Sequence, residues 1–166
     1  MNLLKLKTRS QLKRNKTMRN NVPYSAAVTV GIIFSVEDKQ KHDIVKDFIK
    51  KLEHDGKKVT VISFLPKNKE NYEFLFDFFT EKDLTFWGTI TSPNAITFSE
   101  TPFDYLYYLD KEPNPMIMNL LAKSKAKCRV GKFYNSYQPY FELMIESNDE
   151  TRGLADNMYQ YTRSLR

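Results

Sequence analysis

AAVTVGIIF, residues 26–34, is a nearly continuous apolar run rich in β-branched side chains. Such a run is typical of a strand that is buried on both faces, as in a parallel sheet. Apolar residues at helical spacing follow between positions 44 and 52, and Gly56 marks the end of that helix. KVTVISFL, residues 58–65, is a second candidate strand, closed by Pro66. The order strand, helix, strand predicts a βαβ unit with a right-handed crossover.

The second half of the chain repeats the alternation of strands and helices. Strands are predicted at residues 103–110, 128–131 and 140–146, a short helix after Pro115, and an amphipathic helix at 149–165. We therefore predict a fold of the α/β class. It is expected to be a three-layer Rossmann-like sandwich with a mainly parallel sheet.

The positive charge of the chain is concentrated near its N-terminus. The formal net charge is +6, from 26 Lys and Arg against 20 Asp and Glu, and no acidic residue precedes Glu37. We predict a basic helical arm at residues 1–24, attached to a single, nearly neutral domain at residues 25–166. The candidate nucleic-acid contacts are the seven cations of this arm: Lys5, Lys7, Arg9, Lys13, Arg14, Lys16 and Arg19.

Three roles fit such an arm. An arm that binds RNA or a ribonucleoprotein such as the ribosome would neutralise phosphates, and its affinity would depend steeply on salt. Membrane docking needs apolar side chains as well as charge, and Leu3, Leu4 and Leu6 are available for it. The third reading is a solvated terminus that only aids solubility. Among the functional roles, RNA binding by a non-enzymatic adaptor is the first hypothesis and peripheral membrane association the second.

A block of aromatic residues lies between positions 72 and 87. Its local charge is net acidic, which makes it a poor phosphate surface, so packing in the core or over a sheet edge is the favoured interpretation. Rings that are exposed together would instead form a surface for a protein partner. The candidate partner surface comprises Tyr72, Phe76, Phe79 and Trp87.

The sequence predicts no catalytic constellation, no metal site and no cofactor. The turn after the first strand lacks the G-x-G-x-x-G and G-x-x-x-x-G-K-[ST] patterns, and its Glu37 and Asp38 would repel phosphate. His42 and His54 are twelve residues apart on one predicted helix, about 18 Å, and so cannot share a metal ion. The lone Cys128 is expected to be a buried thiol, and a single cysteine fits a reducing cytoplasm.

A small-molecule pocket is a third functional hypothesis. Asp110 is expected at the carboxyl edge of the sheet, where ligands of α/β proteins usually bind. Ser35 and Pro66 follow the first two predicted strands, so they are expected to border the same pocket.

Two family resemblances add to these expectations. Residues 103–131, from FDYLYYLD to SKAKCRVG, resemble the N-terminal Rossmann-like domain of heptosyltransferase-type glycosyltransferases. That resemblance implies the fold but no site, because the glycine-rich acceptor loop and the second domain are missing. The fuller pattern, with VGIIF, FFTEKDL, AKCRVG and FELMI, is identified as a member of a family of small bacterial proteins of unknown function. Membership implies a bacterial, cytoplasmic protein without a known activity.

Overall fold

The computed structural model describes residues 2–70, 76–147 and 150–166. The strands of this part of the chain are β1 (Thr29–Ser35), β2 (Lys58–Phe64), β3 (Asp77–Phe79), β4 (Tyr105–Tyr108), β5 (Cys128–Lys132) and β6 (Leu143–Ile145). They form one parallel sheet in the order β3-β2-β1-β4-β5-β6. This is the strand order of the Rossmann fold, so the predicted α/β class with a parallel sheet is confirmed.

Helices cover both faces of the sheet. They are α1 (Leu3–Arg14), α2 (Lys39–His54), α3 (Pro93–Glu100), α4 (Pro115–Lys123) and α5 (Thr151–Arg163). On one face, Phe48 of α2 and Met158 of α5 share an apolar cluster with Ile32 of β1. On the other face, Leu121 of α4 packs in a second cluster with Ile33. Successive residues of β1 point to opposite faces of the sheet, and its interior residues, from Val30 to Phe34, are all buried, so neither face of the strand is open to solvent.

The predicted βαβ unit is present as β1, α2 and β2. α2 begins after Asp38, whose carboxylate accepts a hydrogen bond from the Lys41 backbone N–H at 2.8 Å. It ends before Gly56, whose φ of 80° lies in the left-handed region that glycine adopts readily. The predicted helix end is therefore confirmed.

The structure does not show the predicted basic arm as a separate extension. Residues 3–14 are helical, but α1 lies on α4, and its Leu4 is buried in the same apolar cluster as that helix. After the helix, the Asn20 backbone N–H donates to the carbonyl oxygen of Lys127 at 3.0 Å. Leu4 and Thr8, one turn apart, form a narrow buried side by which α1 packs against the domain. This side is difficult to recognise in the sequence because most of the surrounding residues are charged.

Candidate functional site

A buried ion pair occupies the carboxyl edge of the sheet between β1 and β4, where the strand order reverses. Asp110, which follows β4, accepts hydrogen bonds from the backbone N–H of Ser35 at 2.8 Å and from its hydroxyl at 2.7 Å. Lys41 of α2 donates to the same carboxylate, with an Nζ–Oδ1 distance of 2.6 Å. Both side chains of the Lys41–Asp110 pair are almost fully buried. Asp110 therefore lies at the edge where the sequence predicts it.

The polar groups of this cluster form hydrogen bonds and ion pairs with one another. Both oxygens of Asp110 accept hydrogen bonds, and Lys41 also contacts Glu37 at 3.0 Å. The carboxylate of Asp38 already caps α2, so the N-terminus of that helix is not open to a phosphate. Pro66, which was expected to border the same pocket, lines another cavity. We therefore assign the cluster a structural role: it ties β1, α2 and β4 together.

The exposed surface of α1 is strongly basic. Its exposed cations are Lys5, Lys7, Arg9, Lys13 and Arg14, followed by Lys16 just beyond the helix end. We call these six side chains the cationic surface of α1. In the part of the chain that the structure describes, none of the six forms an ion pair with a carboxylate. The surface runs along a helix of twelve residues, about 18 Å long, and its charge is not neutralised by such pairs.

Polar contacts with α4 fix the orientation of α1. The Thr8 hydroxyl accepts a hydrogen bond from the Asn119 side chain at 2.9 Å, in a fully buried position. At the other end, the Asn15 side-chain amide donates to the carbonyl oxygens of Ala122 and Ser124 at 2.9 and 3.0 Å. These contacts hold one side of α1 against α4, so its cations face solvent.

Arg19 does not belong to the cationic surface, although the sequence groups it with the other cations. Its guanidinium donates to the carbonyl oxygens of Ser124, at 2.8 Å, and Ala126, and lies 3.6 Å from the Glu142 carboxylate. Burial, together with the nearby charge of Arg129, lowers the pKa of Arg19 to about 10. Because its guanidinium makes these contacts within the protein, Arg19 anchors the segment that follows α1.

Tyrosine rings border the cationic surface on one side. A cavity of about 240 Å³ is lined by Lys5 and Thr8 of α1 and by Tyr137 and Tyr140. The two tyrosine rings are 5.7 Å apart, and both side chains are half-buried. Burial raises the pKa of Tyr140, although the positive charge of Arg9 opposes this shift. The phenol of Tyr140 is therefore neutral at physiological pH and adds no negative charge to the basic surface.

A family model described as a family of unknown function, DUF6913, matches residues 1–165. The chain belongs to this family. The expected membership in a family of unknown function is thus confirmed. No curated protein and no solved structure matches the chain, and the resemblance to heptosyltransferase-type glycosyltransferases is not confirmed.

The aromatic block of this DUF6913 chain is divided between core and surface. Phe79 is fully buried and Phe76 packs edge-to-face on the ring of Phe34, so the favoured interpretation, core packing, holds for these two rings. Phe79 therefore cannot contact a partner. Tyr72 lies outside the described residues. Of the candidate partner surface, Trp87 is the member that the structure leaves largely exposed.

Phe86, which is not a member of the candidate partner surface, is also exposed and stands beside Trp87. The next residue, Gly88, has a φ of 74° and packs against the backbone of Leu3 and Leu4. The turn thereby brings both rings to the N-terminal end of α1. A glycine directly after two aromatic residues is the sequence signal that could have indicated a turn here.

The remaining candidate groups offer no site in the described residues. Cys128 is fully buried, as predicted, and burial raises the pKa of its thiol to about 12. Within residues 2–70, 76–147 and 150–166, no group of three or more His, Cys, Asp and Glu side chains is arranged to hold a metal ion. No helix in these ranges has both the length and the apolar character needed to cross a bilayer.

Proposed function

We propose that this DUF6913 chain is a non-enzymatic RNA-binding protein and that the cationic surface of α1 contacts the phosphate backbone. The observation that supports the proposal is the seating of α1: Leu4 and Thr8 face α4, and the lysines and arginines face solvent. Lys and Arg make charge-assisted hydrogen bonds with phosphate oxygens, and such contacts supply most of the sequence-independent affinity for nucleic acids.

The same helix suits a membrane less well. Peripheral association requires an apolar helix side that enters the bilayer. Leu4, one of the three leucines available for this role, is buried against α4. Leu3 and Leu6 stay exposed, but they are only two apolar side chains, and Lys7 and Arg9 follow within the next turn. We therefore propose a polyanion with a regularly spaced charge as the ligand.

Salt dependence is the first property expected of this contact. If four of the six cations each neutralise one phosphate of a single strand, the slope of log affinity against log salt is about −2.8. Raising the salt from about 50 to about 200 mM should then weaken binding roughly 50-fold. A slope near zero would argue against phosphate contact.

A pair of charge-matched variants tests the location of the contact. The test variant carries glutamine at Lys5, Arg9, Lys13, Arg14 and Lys16. The control carries glutamine at five exposed lysines outside α1, namely Lys39, Lys50, Lys58, Lys67 and Lys69. Both changes lower the formal net charge from +6 to +1, so they affect long-range attraction equally.

Fluorescence anisotropy with labelled RNA measures the affinity of each variant, and circular dichroism checks that both remain folded. We expect the α1 variant to lose roughly 100-fold in affinity at low salt and the control to lose much less. An equal loss in both would mean that binding follows net charge rather than this surface. Co-sedimentation with ribosomes, with the same two variants, then tests whether a ribonucleoprotein is the partner.

A further inference from the structure

The turn at residues 85–88 presents two aromatic rings to solvent. Phe86 is 83% exposed and Trp87 is 69% exposed. Their ring centroids are 5.4 Å apart, and the ring planes are nearly perpendicular. Burial of such rings in the core would stabilise the fold, so two adjacent rings held in solvent indicate a binding surface.

Backbone hydrogen bonds and a β-bridge hold the turn that carries these rings. The Thr85 backbone N–H donates to the carbonyl oxygen of Thr89, and the Gly88 N–H donates to that of Thr85, both at 2.9 Å. Leu84 and Ile90 form an antiparallel bridge at its base, and Ile90 is fully buried. Rings on a fixed turn lose little conformational freedom when they bind a ligand.

The same turn contacts the cationic helix. Gly88 approaches the backbone of α1 so closely that an added Cβ would lie 2.7 Å from the Leu4 nitrogen. Beside it, the Lys7 ammonium donates to the Thr89 hydroxyl. The two rings therefore stand at one end of the cationic surface, which extends away from them for about 18 Å along α1.

We infer that Phe86 and Trp87 stack on the bases of single-stranded RNA whose phosphates lie along the cationic surface of α1. The inference rests on the proposed function and specifies its ligand. A single strand exposes base faces that stack on aromatic side chains, and this stacking depends little on sequence. A duplex keeps its bases stacked inside the helix, so it can use the cations but not the rings.

Trp87 is the only tryptophan of the chain, so its intrinsic fluorescence reports on this turn. We would titrate the full-length protein at low salt with an oligouridylate of about 12 nucleotides and with an RNA duplex of the same length. The single strand should quench Trp87 fluorescence and bind about tenfold more tightly than the duplex, because one stacked base is worth about that factor. The duplex should leave the fluorescence nearly unchanged.

Three substitutions separate stacking from charge, with anisotropy of labelled RNA as the readout. Trp87→Ala should weaken single-strand binding about tenfold and leave duplex binding unchanged, whereas Trp87→Phe should retain most of the affinity. Tyr161→Ala removes an exposed ring from α5, on the opposite face of the sheet, and should have no effect. Circular dichroism verifies that all three variants are folded.

The outcomes distinguish this inference from the proposed function. If the α1 glutamine variant loses RNA binding but Trp87→Ala does not, and single strand and duplex bind equally, the phosphate contact stands and the stacking is refuted. If the unaltered protein binds no RNA, both are refuted. If vesicles of anionic phospholipid change Trp87 fluorescence and RNA does not, the rings contact a membrane and the inference is overturned.

Discussion

Replacing Gly88 with alanine should loosen the N-terminal helix from the domain. An added Cβ at Gly88 would lie 2.7 Å from the backbone nitrogen of Leu4 and 2.8 Å from the carbonyl carbon of Leu3. Gly56 is the matched control, since its φ is also positive, at 80°, but nothing lies within 4 Å of its added Cβ. The two substitutions share the cost of a left-handed backbone and differ in the clash with α1.

The two variants should differ in stability by the cost of the clash with α1. A left-handed conformation costs a non-glycine residue about 1–2 kcal/mol, which is the expected loss for Gly56→Ala. At Gly88 the clash is with backbone atoms, so rotating a side chain cannot relieve it. Displacing the buried Leu4 side chain forfeits a further 1.5–3 kcal/mol, roughly. We therefore expect Gly88→Ala to lower the free energy of unfolding by about 2.5–5 kcal/mol in total.

Urea unfolding followed by circular dichroism measures both losses. Trp87 fluorescence without denaturant gives a second readout, because Trp87 adjoins Gly88 and should change its emission in Gly88→Ala alone. If the two variants lose the same free energy, within about 0.5 kcal/mol, and their emission spectra coincide, this contact does not hold α1 in place.

Three further predictions concern buried groups. Lys41→Met leaves the buried carboxylate of Asp110 without its cation, so it should lower the free energy of unfolding, measured in urea, by about 3–5 kcal/mol. RNA affinity should stay the same. A loss of stability below about 1 kcal/mol would contradict a buried ion pair. Burial opposes the ionisation of Asp104, but hydrogen bonds from Lys127 and from two backbone amides outweigh it and lower its pKa. The stabilisation from Asp104 is therefore complete above the unfolded-state pKa of about 3.9 and is lost as the pH falls from that value through the lower folded-state pKa. Asp104→Asn should accordingly make the free energy of unfolding less dependent on pH in this acid range, and an unchanged pH dependence would refute this. Because burial raises the pKa of Cys128 to about 12, iodoacetamide should label it at pH 8 only as the protein unfolds in urea; rapid labelling of the folded protein would show that the thiol is accessible.

The parallel sheet could be predicted because its strands carry their signal locally. β1 and β2 are short apolar runs bounded by polar residues and glycine or proline, and the helix between them has a clear apolar side. β3 and α3 are not predicted from the sequence. β3 has three residues, too few to show alternation, and α3 has eight. The Ser92 cap and Pro93 at the start of α3 are the signals that could have indicated it.

The candidate site could be predicted only in part. The cations of α1 are evident from composition, and five of the seven lie exposed without a described hydrogen bond or ion pair. The docking of α1 could not be predicted, since it depends on contacts such as Thr8 with Asn119, separated by 111 positions in sequence. The pairing of Trp87 with α1 depends likewise on the close approach of Gly88, a tertiary contact that no local pattern records.

The long sequence separation between α1 and α4 has a consequence for biosynthesis. α1 is made before α4, and the side chain and carbonyl groups that fix its orientation belong to residues 119–126. At about 5–20 residues per second, a ribosome needs roughly 5–20 s to reach them. During that interval the basic α1 segment lacks its contacts with α4, and a segment of twelve residues is only marginally helical by itself. We expect protease digestion of stalled nascent chains to show α1 protected only after α4 has emerged, and earlier protection would contradict late docking.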